Sequence, residues 1–123
     1  MCWPFGRPLR AVNPSGEKAL QAFYEVSFSR EMGCTEAEWL GWLPAALGAH
    51  HWQRAGAALH VVVRNADGSL GQLSIQWQTL APRQIALMRL PRLLVHFQFD
   101  GLNDAQRYAF MRRFDLYMQR GGG

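Results

Sequence analysis

At 123 residues the chain has the length of one domain, enough to bury a core without disulfide or metal staples. Apolar residues make up 49% and charged residues 18%, which excludes a disordered chain, and two cysteines, Cys2 and Cys34, cannot build a disulfide framework. The formal charge of +4 is uneven: four basic residues against five acidic up to Gln53, then nine against four, so Arg54 to Gly123 is the anion-facing half.

Residues 1–12 hold two prolines and two arginines among apolar residues without a sustained period, and read as an extended surface arm. They lack the continuous apolar run of a secretory signal, so a cytoplasmic location is expected. Asn13 suits a helix N-cap and Pro14 a first helical turn. Leu20, Phe23 and Ser27, flanked by Ala19 and Val26, form a stripe that Gly33 can end, predicting a helix over about 14–32.

Thr35-Glu36-Ala37-Glu38 matches a capping box and opens a second helix. Pro44 is expected to split it into 36–43 and 44–50, since proline removes a helical hydrogen bond. Leu40, Leu43 and Leu47 share one face while Trp39 and Trp42 occupy the next, so the helix is apolar on two sides. The arm wraps it or a partner buries it, which makes Trp39, Trp42 and the nearby Trp52 candidates for a partner interface. The uncharged run from Trp39 to Gln53 is too short to span a bilayer and is broken by Pro44, Gly48 and two histidines.

From Ala57 the period becomes two. LHVVVRN, a turn at ADGS and LGQLSIQWQTL read as a hairpin; RQIALMRL and LLVHFQFD, separated by Pro91, read as two more strands of a four-stranded antiparallel meander. Leu73, Ile75, Trp77, Leu93, Val95, Phe97 and Phe99 face the core by alternation. The opposite face collects His60, Arg64, Ser74, Gln76, Gln78, His96 and Gln98 without acids, a ligand candidate weighed against an ordinary solvated face. Asn103 can cap a final helix over about 104–119, with Phe110, Met111, Phe114 and Met118 at helical spacing. Gly121 suits its C-cap, and 121–123 form a frayed tail. Carriers that use a terminal diglycine place it after the last strand of a β-grasp sheet, whereas here a helix precedes it. The expected fold is α+β, one domain over 1–123 of order α-α-β-β-β-β-α, with helices on one face of a single antiparallel sheet.

The chain lacks a phosphate-binding glycine loop, GxSxG, CxxC and HExxH, so no catalytic residue, cofactor or metal is assigned. Cys34 precedes a helix N-terminus that favours thiolate, yet a small apolar filler under two helices is the preferred explanation. His60 and His96, on the polar side of the sheet, could meet over a metal if their strands were neighbours, but a metal needs three or four ligands. Arg83, Arg89 and Arg92, with Arg107, Arg112, Arg113 and Arg120, form a candidate anion or nucleic-acid surface, although Trp77, Phe97 and Phe99 fall on the apolar side where they cannot stack bases. Lys18 is the single lysine, an Arg bias that a GC-rich, bacterial-like coding sequence also produces. The leading expectation is a non-enzymatic accessory protein acting through protein contacts as a homo-oligomer; the alternative is a nucleic-acid or anion-binding module using the Arg-rich half.

Overall fold

The structure, a computed structural model, describes residues 4–5 and 23–119. In chain order the elements are β1 (Pro4–Phe5), β2 (Ser27–Met32), α1 (Glu36–Leu47), β3 (His51–Ala55), β4 (Ala58–Arg64), β5 (Leu70–Ile85), β6 (Met88–Asp100) and α2 (Asp104–Gln119). They form one antiparallel sheet of order β1-β2-β6-β5-β4-β3. The α+β class and the single antiparallel sheet are as expected, whereas RQIALMRL is not a strand of its own, since β5 runs to Ile85 and β6 begins at Met88. The count of elements also differs.

Each helix begins at a cap written in the sequence. The Glu38 N–H donates to Thr35 Oγ1 at 3.1 Å, and the Thr35 N–H donates to Glu38 Oε1 at 2.9 Å. Asn103 and Gln106 repeat the reciprocal arrangement before α2, both bonds at 2.9 Å. Beneath the helices, the inward residues of β4, β5 and β6 meet Trp39, Leu43 and Leu47 of α1 and Phe110, Met111, Phe114 and Met118 of α2 in one connected core. Aromatic edges organise its centre: Phe114 stands on Phe97 at 5.6 Å and 87°, and Trp39 on Trp77 at 5.7 Å and 63°. Glu36, in the first turn of α1, accepts the Trp77 indole N–H at 2.8 Å and so ties the helix to β5.

Several expectations are corrected. The helix expected over 14–32 ends in strand: Ser27–Met32 pairs with β6, with Ser27 opposite Gln98 and Met32 opposite Leu93. In SFSREM the period of two governs, because Phe28, Arg30 and Met32 turn inward while Ser27, Ser29 and Glu31 turn outward. The earlier part of that expected helix, 14–22, lies outside the described residues. Pro44 does not split α1, which runs unbroken to Leu47 and ends at Gly48 (φ 62°). The proline is exposed, so the carbonyl it leaves unpaired can face water. His51–Ala55 forms a strand where the sequence pattern announced no element.

The break between the last two strands falls at Ala86-Leu87, not at Pro91, which lies within β6. Pro91 is tolerated because the ladder shifts register between Leu80 and Arg83, opposite it, where its missing N–H breaks no regular pair. Of the expected arm, Pro4–Phe5 pairs with Glu31 and Met32. The rest of residues 1–12 and the tail 121–123 lie outside the described residues.

Candidate functional site

The register gathers the polar residues as alternation implies. One row across the outer face runs Ser27, Gln98, Ser74, His60, Gln53, and the next Ser29, His96, Gln76, Ala58. His60 and His96 are held by side chains of this same face. His96 lies between the Ser29 hydroxyl (2.7 Å) and the Ser27 hydroxyl (3.1 Å), and His60 Nε2 bonds Gln72 Oε1 at 3.1 Å. The face is not acid-free: Glu31 lies opposite Leu94, and Asp100 opposite Gln72. His60 and His96 do not meet, because β5 runs between their strands. Among the described residues no three His, Cys, Asp or Glu side chains gather as a metal site would need. Arg64 leaves this group altogether, ending β4 and lining a cleft beside α2.

The tryptophans divide. Trp39 is fully buried, packed between Trp77 and Phe114, and so has no surface to give a partner. Trp42 and Trp52 are half-buried against the same core. Cys34 is also buried, 1% exposed, so its thiol does not reach a substrate from outside.

The arginines spread over three places and do not form one basic surface. Arg83 and Arg92 both reach Glu31, at 3.7 and 3.4 Å. Arg107 is buried, donating to the carbonyls of Tyr24 (2.9 Å) and Leu102 (2.7 Å) and pairing with Asp104. Arg112 and Arg113 stand exposed on α2, Arg89 is exposed on the β5–β6 hairpin, and Arg120 lies outside the described residues. Arg30, absent from the sequence candidates, is the inward cation of β2. It pairs with Asp115 of α2 at 2.8 Å, and Asp115 also accepts the Tyr24 hydroxyl at 2.7 Å. Burial first, and then the Asp115 carboxylate, push the Tyr24 phenol well above its ordinary pKa, so it stays a donor.

The feature that sequence reasoning missed is the far end of the β5–β6 hairpin. The two strands continue past the body of the sheet to a two-residue turn at Ala86-Leu87, with Ile85 opposite Met88. Every side chain from Ala81 to Arg89 is exposed. At the tip Ile85 is 52% exposed, Met88 61% and Leu87 98%. By alternation Arg83, Ile85, Met88 and Leu90 share one face of this arm. Thr79 to Arg92 contains three arginines and no acid. The turn itself is held with Ala86 at φ 53°, a conformation that costs a non-glycine residue about 1–2 kcal/mol. The available signal was an apolar cluster, Ile85 to Met88, placed at a turn rather than within a strand.

The chain matches no family model, no curated protein and no solved structure. Function is therefore argued from the arm and the clefts alone. No helix among the described residues is long and apolar enough to cross a membrane.

Proposed function

We propose that this is a small non-enzymatic accessory protein that works by seating its β5–β6 arm in another protein. The observation that carries the reading is the arm tip, where Ile85, Leu87 and Met88 stand in water beside the exposed Arg89. Large apolar side chains grouped on a projecting hairpin and edged by a cation suit a partner groove that is apolar at its floor and acidic at its rim.

A second copy of this chain supplies that rim poorly. Among the described acids, Glu31 holds Arg83 and Arg92, Glu36 holds Trp77, and Glu38 caps α1. Asp67 holds its own turn through Ser69, Asp104 pairs with Arg107, and Asp115 pairs with Arg30, so that of the eight described acids only Glu25 and Asp100, both exposed, stand outside these pairings. Charge complementarity therefore favours a different, acidic protein over the homo-oligomer expected from composition. Nucleic acid is disfavoured by the same dispersal, since two of the hairpin's three arginines already answer to Glu31.

A photo-crosslinking residue placed at position 87 identifies what the tip touches in cells, and the purified pair is then titrated. Burying a leucine side chain is worth roughly 1.5–3 kcal/mol, so Leu87→Asp should weaken the complex by about tenfold or more while leaving the fold intact. Crosslinks to nucleic acid, or a complex indifferent to Leu87→Asp, would remove the proposal.

A further inference from the structure

Away from the arm, a cleft of about 320 Å³ opens between the end of β4 and the first half of α2, lined by His50, Val63, Arg64, Gln106, Phe110 and Arg113 among others. That volume lies at the small end of ligand sites, which span roughly 300–1,000 Å³. Val63 and Phe110 are buried core residues whose edges form the apolar wall. At its rim stand two guanidiniums, Arg64 and Arg113, and among the described residues neither has a carboxylate within salt-bridge distance. At the sheet edge, by contrast, Arg83 and Arg92 share Glu31.

The Arg113 guanidinium is positioned by other groups, and Arg64 is tied to the cleft through its backbone. The Arg113 guanidinium lies over the Tyr117 ring at 4.6 Å and presses on Gly48, where a Cβ would stand 2.8 Å from it. Any larger residue at 48 would displace the arginine. The Arg64 backbone N–H donates to His50 Nδ1 at 3.1 Å, and the His50 ring rests on Phe110 with centroids 5.3 Å apart. With Nδ1 accepting, the neutral ring carries its proton on Nε2, a third donor among the cleft's lining groups.

We propose that this cleft binds a small organic anion, a carboxylate or phosphate carried on an apolar body, whose charge is taken by Arg64 and Arg113 and whose body rests on Val63 and Phe110. Guanidinium forks suit both oxyanions, so the headgroup class is open to both and the body is what the apolar wall selects. This site is separate from the arm, and its test leaves Leu87 untouched.

Backbone amide NMR of the whole chain, titrated with benzoate, phenyl phosphate, benzyl alcohol and inorganic phosphate in turn, decides it. Saturable shifts confined to residues around 50, 63–66 and 103–113 are expected with one or both aryl anions, and much weaker ones with the neutral alcohol and with inorganic phosphate. Which aryl anion binds more tightly identifies the headgroup. Arg113→Gln and Arg64→Gln should each weaken that binding about tenfold or more, as loss of a charge-assisted bond does. Arg112→Gln, adjacent to Arg113 on α2 but not among the residues that line the cleft, should leave it unchanged. No localised shift with either aryl anion, equal binding of benzyl alcohol, equal binding of inorganic phosphate, or insensitivity to Arg113→Gln overturns the proposal. The amide spectrum of each variant reports independently that it is folded.

Discussion

His50 is half-buried between β4 and α2, and three influences keep its ring neutral. Burial is the largest, followed by the charges of Arg113 and Arg64, and together they lower its pKa below the ordinary value of 6.5. Protonation would also remove the acceptor that Nδ1 offers the Arg64 N–H. In the unfolded chain His50 takes up a proton near pH 6.5, whereas in the folded chain it resists until lower pH. The unfolded state thus binds more protons across that window, so stability rises with pH through it and is lost as the pH falls below about 6.5. A substitution isolates the contribution of His50. His50→Gln keeps an acceptor and cannot titrate, so the slope of unfolding free energy between pH 7 and pH 5 should be shallower in this variant, as urea denaturation at each pH will measure. Equal slopes would place the acid sensitivity elsewhere. None of this was legible at position 50 in the sequence, where two adjacent histidines only interrupt the uncharged run from Trp39 to Gln53. Its neighbours arrive from a strand end 14 residues away and from a helix more than 50 residues on.

β2 shows why one element was misread while its neighbours were not. In the body of β4, β5 and β6 the inward positions are apolar and most outward ones polar, Val62 and Leu94 excepted, so a period of two is visible without knowledge of the partner strand. In β2 the inward set is Phe28, Arg30 and Met32, and the arginine erases the pattern. Its burial is sustained by Asp115, 85 residues away on α2, and by the Phe97 ring, 5.3 Å beneath the guanidinium. No local window contains that information, and the helical stripe of Leu20, Phe23 and Ser27 prevailed by default. The tie between β2 and α2 is testable as an element-scale contact. Asp115→Ala would strand a guanidinium whose side chain is 9% exposed and leave the Tyr24 hydroxyl without its acceptor. Removing one member of a buried pair costs about 3–5 kcal/mol, a large part of a small domain's stability. The double variant Arg30→Met, Asp115→Leu should recover much of the loss, because it removes both charges together. Urea unfolding of the two variants checks this. A loss below 1 kcal/mol in Asp115→Ala would show that the pair is solvated and that hydrophobic registry alone holds β2 to the sheet.

At the scale of the whole molecule, the two helices cover one face of the sheet body, and the β5–β6 hairpin runs past that cover. Whether an apolar residue is core or tip therefore depends on which helix lies over it. Leu73 and Leu87 look alike in sequence, yet one is fully buried and the other 98% exposed. The polar face was legible because alternation reports it directly; the arm was not, because alternation is silent about what covers the apolar side. The same geometry bears on assembly. If the tips met each other, two arms bearing Arg83 and Arg89 would be brought together on a chain that already carries +4. Such repulsion is strongest at low ionic strength, where the Debye length reaches about 30 Å at 0.01 M, and falls to about 8 Å at 0.15 M. Sedimentation velocity should accordingly find a 14.0 kDa monomer at low salt. Any self-association should grow as salt is added and disappear in Leu87→Asp. A dimer that is instead tightest at low salt would mean that opposite charges on two copies meet, and the acidic groove assigned to a foreign partner would then have to be sought on this chain itself.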